Sequence, residues 1–263
     1  MKLFDLDFNC AIFDMDGTLL DSMEMWHTAS DKYLVSKGKI PEKNLWDKVK
    51  WLNMTETVDY LISKYGLSVD ETENRPKDKK NKIEEEFGKK SGTMSKTMSE
   101  KKSSNAEKIQ KEILRQIQDE YENNLQLKEG AAELLKTLNE NKIPCILATA
   151  TDRSCVIPCI KRLGIEKYFT AVITCLDLNT SKSKPLIFEK AAELGNSTPE
   201  NSLVFEDALH ALRTAHNAGF KTCAVYDKSD EEKTEPPETD WQRIIKIADI
   251  KIKSLKEASA NLR

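Results

Sequence analysis

The chain has 263 residues, 39% hydrophobic and 32% charged, and its 41 Lys plus Arg against 44 Asp plus Glu leave a net charge of -3. That balance argues against a surface built to neutralise a nucleic-acid backbone, and no run of 18 apolar residues is present to cross a membrane. Six cysteines form no C-x-x-C pair, and Cys10, Cys145, Cys175 and Cys223 lie in or beside apolar runs. Together with Asp5 and Asp7, which break a signal-peptide pattern, they predict a reduced cytoplasmic protein.

The first apolar run, 8–13, has strand length and is nearly continuous, as in a strand buried on both faces. About 110 residues of helical character follow it without a clear strand. Apolar residues recur at helical spacing in 23–35, in 45–65 and in 109–125, the last through Ile109, Ile113, Ile117 and Tyr121. Inside this insert, residues 71–108 carry 11 basic and 8 acidic side chains and a single aromatic, Phe87. Such a composition predicts a disordered or loosely helical spacer, with a basic interaction arm as the alternative.

Near Lys128 strands and helices begin to alternate. Ala131, Leu134, Leu135 and Leu138 mark a helix within 130–141, and strands are expected at 145–148, 171–175, 203–205 and 222–225. Between them lie helices over 186–194 and 208–218, with Gly195 and Gly219 placed to end them. Pro158, inside the helix after Thr149, should kink it or end its first part. Residues 227–240, with Pro236-Pro237, read as a surface loop. The fold class is α/β, a parallel-sheet core formed by 1–20 and 128–263 with a mostly helical insert at 21–127.

Four strand exits carry chemistry. The first strand runs into Asp14-Met15-Asp16-Gly17-Thr18, two carboxylates that repel unless a cation or a proton separates them. Gly17 permits a sharp turn that re-aims the second acid. Thr149 and Thr151 follow the second run, where a hydroxyl and backbone N–H groups can hold an anion or simply cap a helix. Lys182 and Lys184 lie before the 186–194 helix and offer positive charge to an anionic substrate. Leu203-Val204-Phe205 runs into Glu206 and Asp207, oxygen donors suited to a hard cation such as Mg²⁺ or to capping the next helix.

This set resembles the haloacid dehalogenase superfamily, and within it the helical-cap subgroup that includes β-phosphoglucomutase-like phosphatases. The likeness covers about residues 8–66 and 107–226. Phe13-Asp14-Met15-Asp16-Gly17-Thr18 matches the family's first motif in full, and Val204-Phe205-Glu206-Asp207 matches its fourth nearly as well. The resemblance implies a Rossmann-like core with a helical cap, and an Mg²⁺-dependent phosphatase acting through an aspartyl-phosphate. Asp14 would be the nucleophile and Asp16 the general acid and base. Asp14, the Asp16 carbonyl, Asp207 and Glu206 would hold Mg²⁺, Glu206 directly or through water. Thr149 and the Ala150 N–H would bind phosphoryl oxygens, and the third-motif lysine would neutralise nucleophile and phosphate.

The third motif departs from the family pattern. In Ser181-Lys182-Ser183-Lys184-Pro185, counting back from Phe188 puts Lys182 in register, with Lys184 the close alternative. His27 is one residue out of the register that mutases of the subgroup use, where Trp26 sits, and no Arg occurs around 53–57. Plain phosphatase is therefore favoured over sugar-phosphate mutase, and both over a catalytically silent binding or regulatory protein. Trp26, His27, Trp46 and Trp51 are expected to pack as cap core, with an apolar leaving-group pocket as the alternative. The expected partner is a small phosphorylated metabolite, with no nucleic acid, no membrane and a monomeric chain.

Overall fold

The computed structural model describes residues 1–50, 52–68, 94–230 and 238–263, with backbone alone for 94–103 and 230. The chain divides into two compact units, Met1–Trp26 with Gln118–Arg263, and His27–Ile117.

The larger unit is built on a sheet of six parallel strands. A short antiparallel hairpin, β1 (Lys2–Leu3) and β2 (Leu6–Asp7), precedes it. Next comes β3 (Cys10–Phe13), every residue of which is buried. After the helical insert the chain returns as α5 (Ala131–Glu140), β4 (Cys145–Thr149), α6 (Arg153–Arg162), β5 (Ala171–Thr174) and α7 (Leu186–Leu194). It continues through β6 (Ser202–Glu206), α8 (Leu209–Asn217), β7 (Lys221–Val225), α9 (Asp240–Ile244), β8 (Ile250–Ile252) and α10 (Leu255–Ala260). The spatial order is β5-β4-β3-β6-β7-β8, all pairs parallel. From β3 the chain winds outward to one edge and then, at β6, crosses to the other side. The strand order therefore reverses between β3 and β6, where open α/β sheets form a crevice at the strands' carboxyl ends.

The pleat explains the two faces. Cys10 and Ile12 of β3, Ile146 and Ala148 of β4 and Val204 of β6 lie at alternate positions. They share one buried cluster with Ile187, Phe188 and Ala191 of α7 and Ala211 and Ala215 of α8. Phe13 and Phe205, in register on the opposite face, stack at 4.5 Å and 10°. Each such large side chain contributes about 1.5–3 kcal/mol by leaving water.

Several details differ from the sequence expectation, among them the β1–β2 hairpin and α9, which it did not include. β8 and α10 were not anticipated, because a three-residue Ile-Lys-Ile run is too short to stand out. α6 runs unbroken to Arg162 with Pro158 inside it. Proline forfeits one bond to the preceding turn, which the Asp152 cap and the buried Cys155, Val156, Cys159 and Ile160 offset. At the end of α7 the left-handed residue is Asn196 (φ 52°), not Gly195 (φ -83°). Gly195 is needed for space, since a Cβ there would lie 2.3 Å from Cys10 Sγ. In the 227–240 loop, Asp227 is buried; residues 231–237 lie outside the described residues.

In the smaller unit, α1 (Met23–Ser36) runs on from Trp26 and is followed by α2 (Leu45–Val49) and α3 (Met54–Tyr65). α4 (Met94–Asn123) then leads back to the larger unit. Asn53 and Glu56 form a reciprocal capping box at the start of α3, and Gly66 closes it in the left-handed conformation. Ile109, Ile113 and Ile117 are buried along one face of α4. Tyr33 donates to Glu112 at 2.7 Å, and the His27 ring meets Trp46 tilted at 36°, with centroids 4.6 Å apart. Of the charged 71–108 stretch, residues 94–108 belong to α4; the rest, like Trp51, lies outside the described residues.

Candidate active site

The site is assembled from the carboxyl ends of β3, β4 and β6 and the loop after β5. β3 ends at Phe13, and Asp14 N donates to Phe205 O at 3.0 Å, so the sheet itself sets where Asp14 begins. Asp14 is 7% exposed. Gly17 then turns the chain at φ 77°, and a Cβ there would fall 2.2 Å from Asp207 Oδ2. Glycine is required twice over, for the left-handed backbone and for the approach of that carboxylate.

Lys182 is 6% exposed and reaches Asp14 Oδ1 and, at 2.7 Å, Glu206 Oε2. Lys184, two residues on, is exposed on the same loop. The geometry therefore separates the two lysines that the sequence left as alternatives. Glu206 is buried at the end of β6, and Ala208 N donates to its Oε1 at 3.3 Å. Thr18 donates to Asp207 Oδ1 at 3.0 Å. Thr149, 1% exposed at the end of β4, accepts from Thr151 N at 3.1 Å, so its own hydroxyl hydrogen can point elsewhere. Ala150 beside it is exposed.

Charge is crowded here. Burial raises the pKa of Asp14, against the pull of Lys182, and burial with Asp14 nearby raises that of Glu206 well above the usual range. Burial and Asp14 push Asp207 up to about 7. Burial works against the charge on Lys182, but Asp14 and Glu206 outweigh it and hold the ammonium firmly protonated. Ligand oxygens of Asp14, Glu206 and Asp207 all lie within 4.8 Å of one another. Three carboxylates against one ammonium leave two negative charges uncompensated, the charge of one divalent cation. The donors are hard oxygens, the type that Mg²⁺ takes. The residues present therefore fit the metal.

Two partners of the site were not singled out from sequence. Tyr121, fully buried near the end of α4, donates to Asp16 Oδ1, and Thr151 donates to Asp16 Oδ2 at 2.6 Å. Burial and the nearby Asp16 raise the Tyr121 pKa well above the usual value, so the phenol stays a donor. Lys128 Nζ donates to Gly17 O and, at 2.9 Å, to Tyr226 O, and pairs with Asp227 Oδ2 at 2.7 Å. Burial opposes the charge on Asp227, but Lys128 wins and holds its carboxyl below the usual range. In sequence Tyr121 reads as one more apolar position of a helix and Lys128 as a loop lysine.

The family model for haloacid dehalogenase-like hydrolases matches residues 11–225. The chain belongs to this family. A phosphorylated-carbohydrates phosphatase of Thermotoga maritima is 24% identical over 210 residues, covering 80% of this chain and 81% of that one. A chloroplastic 5-amino-6-(5-phospho-D-ribitylamino)uracil phosphatase of Arabidopsis thaliana is 30% identical over 102 residues. That match spans 39% of this chain and 27% of the plant protein's length. Among solved structures, β-phosphoglucomutase from Clostridium difficile superimposes with a TM-score of 0.60 at 19% identity, covering 95% of this chain and 92% of that one. That likeness is one of fold, the haloacid dehalogenase-like sheet with helical insert. Among the described residues, no helix is long and apolar enough to cross a membrane.

Proposed function

We propose that the protein is an Mg²⁺-dependent phosphatase that releases phosphate from a small phosphorylated metabolite. The observation that carries this reading is the buried Lys182 ammonium bridging Asp14 and Glu206, beside Asp207. Asp14 is the nucleophile: its carboxylate oxygen attacks phosphorus as the bond to the leaving oxygen breaks, giving an aspartyl-phosphate. Asp16 gives its proton to the leaving oxygen. It then takes one from the water that cleaves the acyl phosphate, so Asp14 returns as carboxylate and phosphate departs. Lys182 holds Asp14 in place and offsets the repulsion between two anions. Thr149 and the Ala150 N–H are assigned to the phosphoryl oxygens, as donors that stay put while charge spreads over them. Asp14, the Asp16 carbonyl, Glu206 and Asp207 would hold Mg²⁺, which supplies charge neutralisation when bound. The family resemblance assigns choice of leaving group to the helical insert. Six unpaired, buried cysteines support a reducing compartment, the cytoplasm.

The test is phosphate release from a panel of sugar, nucleotide and small-acid phosphates, with Mg²⁺ and with chelator, for wild type and Asp14→Asn. Turnover that needs both Asp14 and the metal is expected. Equal turnover in wild type and Asp14→Asn removes the nucleophile assignment.

A further inference from the structure

Asp16 stands beside a site crowded with carboxylates, yet both of its own oxygens are held. Its two carboxylate oxygens are taken by two hydroxyls, Tyr121 on Oδ1 and Thr151 on Oδ2. Neither partner is an ammonium or a guanidinium. The Tyr121 hydroxyl also accepts from Trp26 Nε1 at 3.1 Å, and the two rings meet edge to face at 6.4 Å. Thr151 Oγ1 lies 3.5 Å from the same phenol oxygen. The backbone is fixed as well. Arg162 of α6 donates to Tyr121 O at 3.1 Å and Leu125 O at 2.5 Å, satisfying carbonyls at the end of α4.

We propose that Tyr121, fixed by Trp26 and Arg162, is a positioning residue that keeps the Asp16 carboxyl aimed for proton transfer. This rests on the reading of Asp16 as acid and base. A cationic partner would favour the ionised carboxyl alone. A hydroxyl can donate to a carboxylate and accept from a carboxylic acid. Tyr121 and Thr151 can thus keep Asp16 in one rotamer while its proton leaves for the leaving oxygen and another arrives from water. Tyr121 touches no reacting atom. It acts by limiting where the carboxyl can swing, and a misplaced proton donor loses much of its value.

A leaving group tests this directly. Nitrophenolate departs without a proton, whereas an alkoxide needs one. The constant kcat/KM reports steps up to departure of the leaving group, so the later hydrolysis of the aspartyl-phosphate does not enter. In Tyr121→Phe, kcat/KM for glycerol phosphate should fall at least about ten times further than for p-nitrophenyl phosphate, against the roughly 10²–10⁴-fold value of a whole general acid. A pre-steady-state burst of nitrophenolate should accompany the aryl ester, because the water step still needs Asp16. Trp26→Phe, which leaves the phenol in place but removes its donor, should show the same pattern more weakly. Equal falls for both esters, or no fall for either, overturns the proposal and leaves Tyr121 a packing residue. Asp16→Asn separates the two ideas. If that variant keeps full turnover on glycerol phosphate, the acid-base reading itself fails, whatever Tyr121 does.

Discussion

Replacing Asp207 by Asn should make the metal-free protein more stable while destroying its affinity for Mg²⁺. Asp207 is pushed up to about 7 from an ordinary 3.8, by burial first and by Asp14 second. A folded-state value above the unfolded one means the acid is tolerated while protonated and opposes folding once ionised. Its contribution therefore declines as pH rises from about 4 through about 7, and above that window the penalty amounts to about 4 kcal/mol. Asn keeps the shape and the acceptor that Thr18 uses, but carries no charge. In chelator at pH 8, Asp207→Asn should melt about 8–16 °C above wild type for a chain of this size. At pH 5 most of that gap should close. Millimolar Mg²⁺ should then raise wild type by mass action and leave the variant unmoved. Differential scanning fluorimetry across pH 4.5–8, with and without Mg²⁺, gives all four numbers. A variant no more stable than wild type at pH 8 in chelator would show that the carboxylates are not in the electrostatic conflict described above.

Gly17→Ala should cost at least 1–3 kcal/mol for its left-handed backbone alone, and the added methyl would push on Asp207, whose Oδ2 lies 2.2 Å from that position. Denaturant unfolding should report the first effect and a weakened Mg²⁺ midpoint the second; an unchanged metal midpoint refutes the contact argument. Lys128→Met leaves Asp227 buried without its ion partner, which should cost about 3–5 kcal/mol near neutral pH. Because Lys128 holds the Asp227 carboxyl below its usual range, this stability is present at neutral pH and lost as pH falls through the folded value. Urea unfolding at pH 7 and pH 4 should show the difference between variant and wild type shrinking at the lower pH.

The strands that carry the site were readable because each is an apolar run ending in a polar side chain. Asp14, Thr149 and Glu206 all follow that pattern, and all stand at the carboxyl ends of parallel strands. Counting back from Phe188 favours Lys182 and keeps Lys184 as the close alternative, since both lie in the same polar loop. What separates them is which side chain enters the space between Asp14 and Glu206, a matter of loop path. Tyr121 was invisible for a different reason. A tyrosine at helical spacing looks the same whether its hydroxyl meets water or an acid 105 positions earlier in the chain. Asp227 read as part of a solvated loop because the lysine that accompanies its burial, Lys128, sits 99 positions before it.

The pairing of β3 with β6 has a consequence for when the enzyme comes into being. Ile12 and Phe13 are joined in register to Val204 and Phe205, from the other end of the sequence. A chain leaving the ribosome would carry Asp14, the proposed nucleophile, out well before Lys182, Glu206 and Asp207, and could do nothing with it until they follow. Only after roughly 190 further residues, those separating Asp14 from Glu206, have emerged does the second half of the sheet arrive to close the ring of charges. Long-range pairings of this kind form slowly, because the intervening loop must be closed first. Recovery of turnover during refolding should thus trail the return of helical signal, and catalysis becomes a readout of completed assembly.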